Sequence, residues 1–199
     1  MATVESVHAS SDLGLRPPIQ IVPLRALPVS ALVVAFVALS IGENWRWGLI
    51  FCHVAGGGMW TAVDLFVGLI VGPILGRLSV PARAEFASRF MPKMVVLMPT
   101  IVLMTLATGF QIAGALGNLT VGSPNHAWLI ASFIVVGVMA VIALGILEPA
   151  NIAVLMEMNK PRPNGERIGR LMRRFVYTAG VTGLMQVATL VIMTRVASR

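Results

Sequence analysis

Apolar positions along the chain gather into five runs, 27–42, 47–75, 94–117, 127–158 and 175–194, separated by polar, glycine- and proline-marked breaks. A helix crossing a bilayer needs roughly 20 apolar residues. The last four runs meet that length. The first falls short of it, bounded by Pro28 and Gly42. Its rival reading is a signal peptide, since Ala38-Leu39-Ser40 resembles a cleavage site. The polar stretch ahead of it is long for the n-region of a signal peptide, which favours a membrane helix. The predicted fold is an all-α integral membrane protein. A four-helix transmembrane bundle carries an N-terminal fifth transmembrane helix, forming a single transmembrane helical domain over 27–199. Residues 1–26, with Pro17, Pro18 and Pro23, are expected to form a flexible cytoplasmic tail.

Composition agrees with that pattern. Hydrophobic residues make up 57% of the chain and charged residues 12%, against roughly 25% charged in soluble domains. So few charges cannot cover a water-facing surface. The net charge of +7 would point to nucleic acid in a soluble protein. Here the basic residues sit between apolar runs and act as topology signals, so no nucleic-acid partner is expected. The segment 76–93 carries Arg77, Arg83, Arg89 and Lys93, and 159–174 carries Lys160, Arg162, Arg167, Arg170, Arg173 and Arg174. The segment 118–126 carries no Lys or Arg. The basic segments are placed in the cytoplasm, the N-terminus inside and the C-terminus outside, in a bacterial inner membrane. Trp45, Trp47 and Trp128 then meet at the outer interface, although Arg195 and Arg199 lie on that side too. The sequon Asn118-Leu119-Thr120 is discounted, because nothing else points to a secretory pathway.

Ionisable groups inside a bilayer are expensive and each needs a reason. The second run holds His53 and Asp64, separated by about three turns plus 20°, hence on one helix face. Gly57 and Trp60 share that face, and Gly56, Gly57 and Gly58 admit another backbone or a flat cofactor. The third run supplies Gln111. The fourth supplies Glu148 and Asn151 around Pro149, which removes a backbone donor. The fifth supplies Gln186, with Gly180 and Gly183 as close-packing positions. Sorted by depth, His53, Gln111 and Gln186 form an outer cluster with His126 near its mouth. Asp64, Glu148 and Asn151 form an inner cluster with Lys93 at its edge. The inner group is either a proton relay or a structural polar cluster.

His53-Val-Ala-Gly-Gly-Gly-Met-Trp60, a basic loop, and Met91-Pro92-Lys93 leading toward Pro99 resemble two kinds of small membrane protein. These are the HemJ-type protoporphyrinogen oxidases and the CopD-type copper-resistance proteins. The likeness extends over roughly 47–197, its specific part being His53, Trp60 and Lys93. The first branch implies haem b tied to His53 and Lys93. The second implies copper, with His and Met as ligands. The segment Met1–Gly42 is additional to the HemJ-type pattern. With span centres near Leu65 and Leu106, His53 and Lys93 differ in depth by about 35 Å, too far for both to ligate one haem iron.

The expected function is that of a cofactor-binding membrane protein, holding haem b or copper near His53 for redox work or metal handling. Candidate cofactor contacts are His53, Gly57, Trp60, Lys93 and Gln111, with His53 the metal ligand. Against this stands a packed histidine bonded to a carbonyl or to Gln111, and a Lys93 that merely snorkels to headgroups. The methionines fill apolar gaps before they relay copper. The single cysteine, Cys52, excludes an intrachain disulfide and a cysteine-cluster metal site. No Walker loop, dinucleotide-binding glycine motif or HExxH sequence occurs. If an enzyme, the chain is a membrane oxidoreductase. The alternative class is a non-catalytic subunit that packs against other membrane subunits or a second copy. A filled His53 face favours that class, and an open slot favours the cofactor.

Overall fold

The computed structural model describes residues 19–198. Residues 1–18, the greater part of the expected tail, and Arg199 lie outside the described residues. Among those described, five helices are long and apolar enough to cross a membrane: α1 Leu24–Gly42, α2 Arg46–Arg77, α3 Val80–Ala115, α4 His126–Met158 and α5 Gly165–Ala197. No strand occurs among the described residues. The chain has the fold of an all-α integral membrane protein, as its apolar pattern predicts.

The helices outrun the apolar runs. At 1.5 Å per residue, α2 to α5 each measure roughly 50 Å, against a hydrocarbon core of about 30 Å. The expected loop 76–93 is therefore corrected: only Leu78 and Ser79 separate α2 from α3. Ser79 Oγ accepts a hydrogen bond from the Ala82 N–H, and Pro81 lies in the first turn, so α3 starts fourteen residues before Met94. Likewise α5 begins at Gly165 rather than Phe175, capped by Asn164 Oδ1 on the Arg167 N–H at 3.0 Å. Arg, Lys and Glu are good helix formers. Hydropathy therefore marks where a helix leaves the apolar layer, not where it ends. Arg83 closes the tight α2–α3 corner, donating from Nε to the Leu75 carbonyl and from Nη2 to the Leu78 carbonyl, both at 3.1 Å.

Proline shapes two of the spans. One-turn π-helical segments occupy Phe66–Val71 in α2 and Ala143–Leu147 in α4, just ahead of Pro73 and Pro149. A proline ring clashes with the carbonyl four residues earlier, and the wider π turn accommodates it without breaking the helix.

The four long helices form a ring in which α2 adjoins α3 and α5, and α4 lies between α3 and α5. The outlying α1 packs on α2 and α3. The largest core cluster fills the basic end with Val71, Met91, Val154, Leu155, Met172 and Phe175. Here α3 meets α4 along Glu148–Met158. Toward the tryptophan-rich end the two backbones splay apart, bridged by long side chains such as Phe110 and Phe133, whose ring centroids are 6.1 Å apart. The crossing between α2 and α5 is backbone-close. A Cβ built on Gly68 would stand 2.3 Å from Gly180 Cα, and one on Gly183 would stand 3.0 Å from Leu65 N. Gly180 and Gly183 thus occupy close-packing positions, as expected.

The end of the expected tail is tied down from Ile19 onward. The Ile19 N–H donates to Asn159 Oδ1 at 2.8 Å, and Asn159 Nδ2 donates to the Ile19 carbonyl at 2.9 Å. Ile19 and Ile21 pack on the basic-end core. Asn159→Ala removes both bonds, each worth about 1 kcal/mol. Limited proteolysis within 19–26 should then run at least tenfold faster, with little change in global melting. An unchanged rate would show that the two isoleucines hold the segment alone.

Candidate functional site

The splay of α3 from α4 leaves a cavity of ≈ 410 Å³ bounded by α2, α3, α4 and α5. Its lining runs along α5 from Gln186 to Ala197, about 16 Å of helix rise. The slot is therefore elongated along the bundle, from mid-span to the tryptophan-rich end. Its wall is mostly apolar, with Leu106, Phe133, Val136 and Met139 among the contributors.

His53 on α2 is the ionisable group in that lining. Its Nδ1 lies 2.9 Å from the carbonyl oxygen of Thr105 on α3. That carbonyl is an acceptor, so Nδ1 carries the proton and donates it. In the neutral imidazole that leaves the lone pair on Nε2, which makes no hydrogen bond among the described residues. The carbonyl is available because Thr105 is one turn from Gly109, where the absence of a side chain seats the ring. A Cβ on Gly109 would fall 2.5 Å from His53 Cε1 and 2.6 Å from Nδ1. Gly56 admits the same stretch of α3, since a Cβ there would meet Thr105 Oγ1 at 2.5 Å. Gly57, Gly58 and Trp60 continue the α2 wall. The face sharing of His53, Gly57 and Trp60 holds as the spacing implies.

The second polar element joins α2 to α5. Asp64 is 2% exposed, and its Oδ2 accepts from Gln186 Nε2 at 2.8 Å. Thr182 Oγ1 lies 2.9 Å from the same oxygen and within 3.1 Å of the Thr178 and Ala179 carbonyls, so its one proton serves one of three acceptors. Gln186 Oε1 is buried and unpartnered, in a residue that lines the cavity. A polar link therefore leads from Asp64 to the cavity wall.

This regroups the residues singled out by sequence. Gln186 belongs with Asp64, not with Gln111. Gln111 is not in the cavity lining. Its Nε2 donates to Asn44 Oδ1 at 3.4 Å, across the α1–α2 turn. Lys93 is exposed and outside the lining. It precedes Thr105 by about 18 Å of helix rise, so the expected 35 Å from His53 shrinks but still separates the two. Asn151 is fully buried with both side-chain polar atoms unpartnered, and Glu148 is half-buried one turn away, both outside the cavity lining. Cys52 is buried and points off the His53 face. No group of three or more His, Cys, Asp or Glu that could hold a metal ion occurs among the described residues.

Thr105, Gly109 and Thr182 escaped the sequence reading. Threonine in an apolar helix ordinarily bonds its own preceding turn, as Thr100, Thr108 and Thr194 do. Nothing local distinguishes the two that meet a partner helix. The available signal was spacing: Thr105 with Gly109 and Thr182 with Gln186 are both one turn apart on one face. Compared with family models, with curated proteins and with solved structures, the chain finds no match.

Proposed function

We propose that this chain is an intramembrane cofactor-binding protein in which His53 holds haem b within the cavity between α2, α3, α4 and α5. One observation carries the reading: the imidazole is fixed through Nδ1 on the Thr105 carbonyl, no hydrogen bond engages Nε2, and the residue lines an open slot. A backbone-bonded Nδ1–H fixes the tautomer and orientation of a ligating histidine. Haem brings four nitrogen ligands of its own, so a single imidazole suffices. Copper alone needs more donors, and here the further soft candidates in the lining are the thioethers of Met139 and Met193. The elongated, mostly apolar slot suits a flat, largely apolar ring.

Bound there, haem b would supply one-electron redox chemistry. The chain's own groups have separable tasks. Thr105 orients the imidazole and Gly109 gives it room. Trp60 closes the mid-membrane end, and Gln186, backed by Asp64, offers an acceptor oxygen at the wall. Lys93 sits too far along α3 to meet the ring and is read as an interfacial anchor. The basic end is read as cytoplasmic and the membrane as a bacterial inner membrane, supported by Arg and Lys at one end and Trp45, Trp47 and Trp128 at the other.

The test is an absorption spectrum of detergent-purified protein, oxidised and dithionite-reduced, with metal analysis, from cells supplied with haem precursor and copper. Wild type should show a stoichiometric Soret band. His53→Ala and Gly109→Leu should each lower it at least tenfold. Stoichiometric copper without a Soret band would transfer the site to the copper reading. Equal loading of wild type and His53→Ala, or none in either, would overturn the cofactor reading in favour of a non-catalytic subunit.

A further inference from the structure

Along the α2–α5 contact lies a second groove, ≈ 550 Å³, which shares no lining residue with the His53 cavity. Gly68, Gly72 and Gly76, one turn apart, form its α2 wall, and α5 contributes the length from Gly169 to Leu184. That length is about 22 Å of rise, a leaflet's hydrocarbon of roughly 15 Å plus the headgroup layer. The lining is apolar except at the basic end, where Arg83 and Arg173 stand, with Tyr177 one turn beyond Arg173. No Asp or Glu lines the groove, and neither arginine has a carboxylate partner among the described residues.

Arg83 is not a loose surface charge. Two of its five N–H groups are fixed on the Leu75 and Leu78 carbonyls, which holds the guanidinium at the groove mouth. Its Nη1 lies beside Gly169 of α5, and no other hydrogen bond of the guanidinium occurs among the described residues. Gly68 and Gly72 are covered by Gly180 and Val176 of α5, whereas Gly76 is bare, a Cβ there meeting nothing within 4 Å. An acyl chain suits this apolar groove past Gly76, and a phosphate suits the two arginines at its basic end. Basic pockets between transmembrane helices are the sites where acidic headgroups are held. We infer that this groove is a binding site for one anionic glycerophospholipid of the leaflet at the basic end, phosphate on Arg83 and Arg173 and an acyl chain running past Gly76 along the apolar groove between α2 and α5.

Native mass spectrometry of the full chain in detergent, titrated with dioleoylphosphatidylglycerol or dioleoylphosphatidylcholine, tests this. Wild type should retain one phosphatidylglycerol at least tenfold more tightly than phosphatidylcholine. Arg173→Gln should weaken it about fivefold, matching the ~1 kcal/mol per basic residue near a membrane surface. Arg174→Gln removes the same charge from a neighbouring position outside the lining and should bind as wild type. Gly76→Leu keeps every charge and should abolish retention; its Cβ meets no atom within 4 Å, so the bundle tolerates it. Equal loss from Arg173→Gln and Arg174→Gln would overturn the site in favour of diffuse charge. Wild-type binding by Gly76→Leu would remove the acyl channel. Displacement of the lipid by millimolar inorganic phosphate would reduce the site to one for a free anion.

Discussion

Gly68→Leu is expected to destabilise the bundle by about 4 kcal/mol, the sum of overpacking and of buried hydrogen bonds lost with it. The obstacle is backbone: a Cβ at Gly68 would lie 2.3 Å from Gly180 Cα and 2.7 Å from Gly180 N. No rotamer change relieves such a clash, so α2 and α5 must separate. One turn along, Gly183 is against the backbone of Asp64 and Leu65, and the Asp64–Gln186 bond spans the same interface. Separation therefore breaks the polar link as well as the apolar contact. Gly137→Ala is the matched control. Its Cβ meets nothing within 4 Å, and exchanging glycine for alanine in a helix gains up to about 1 kcal/mol. Thermal unfolding in one detergent, followed by size exclusion, compares the two. If Gly68→Leu melts with Gly137→Ala, the crossing is not as close as described.

The α2–α5 crossing also marks the boundary of what the sequence discloses. Gly180 and Gly183 are legible because small residues in an apolar helix have few uses besides close approach. Their partner Gly68 is not, since register between helices is set by contacts far apart in the chain. Depth in the bilayer is less legible than close packing. The apolar run 94–117 centres on Leu106, yet α3 starts at Val80 and centres between Leu97 and Met98. That shift brings Thr105 level with His53, and moves Gln111 out to Asn44. An apolar run is only part of its helix here, since the basic turns 80–93 are helical too. His53 stood out in the sequence as a titratable group in an apolar face. Its carbonyl partner and the glycine that seats its ring carry no such chemical label. Face arithmetic along α2 carries from His53 to Gly57 and Trp60 but not to Asp64, which turns to Gln186 on α5 while His53 meets Thr105 on α3. Beyond Phe66 the π turn adds a residue's worth of rotation.

Asp64→Leu is expected to cost about 2–3 kcal/mol, and Asp64→Asn less than about 1 kcal/mol. Interhelical hydrogen bonds in membranes average about 0.6 kcal/mol and reach about 1.7 kcal/mol, so a single bond would not produce the larger figure. Asp64 Oδ2 accepts from Gln186 Nε2 and lies within reach of Thr182, and Gln186 Oε1 is already without a partner. Leucine leaves the Gln186 amide with no partner at either end in an apolar interior, where the desolvation penalty is not recovered. Asparagine retains an acceptor oxygen where the donors reach it. The double variant Asp64→Leu/Gln186→Leu removes both sides of the bond and should recover most of the loss, since paired removal is far cheaper than orphaning one partner. Equal destabilisation by Asn and Leu, or strict additivity in the double variant, would remove the link from the account of stability. The asparagine variant has a second use. Should the proposed haem bind, this variant lacks a titratable carboxyl beside the cavity wall. A shift in the pH dependence of the haem reduction potential in Asp64→Asn, with melting unchanged, would assign this carboxyl to proton handling at the His53 site rather than to holding two helices together.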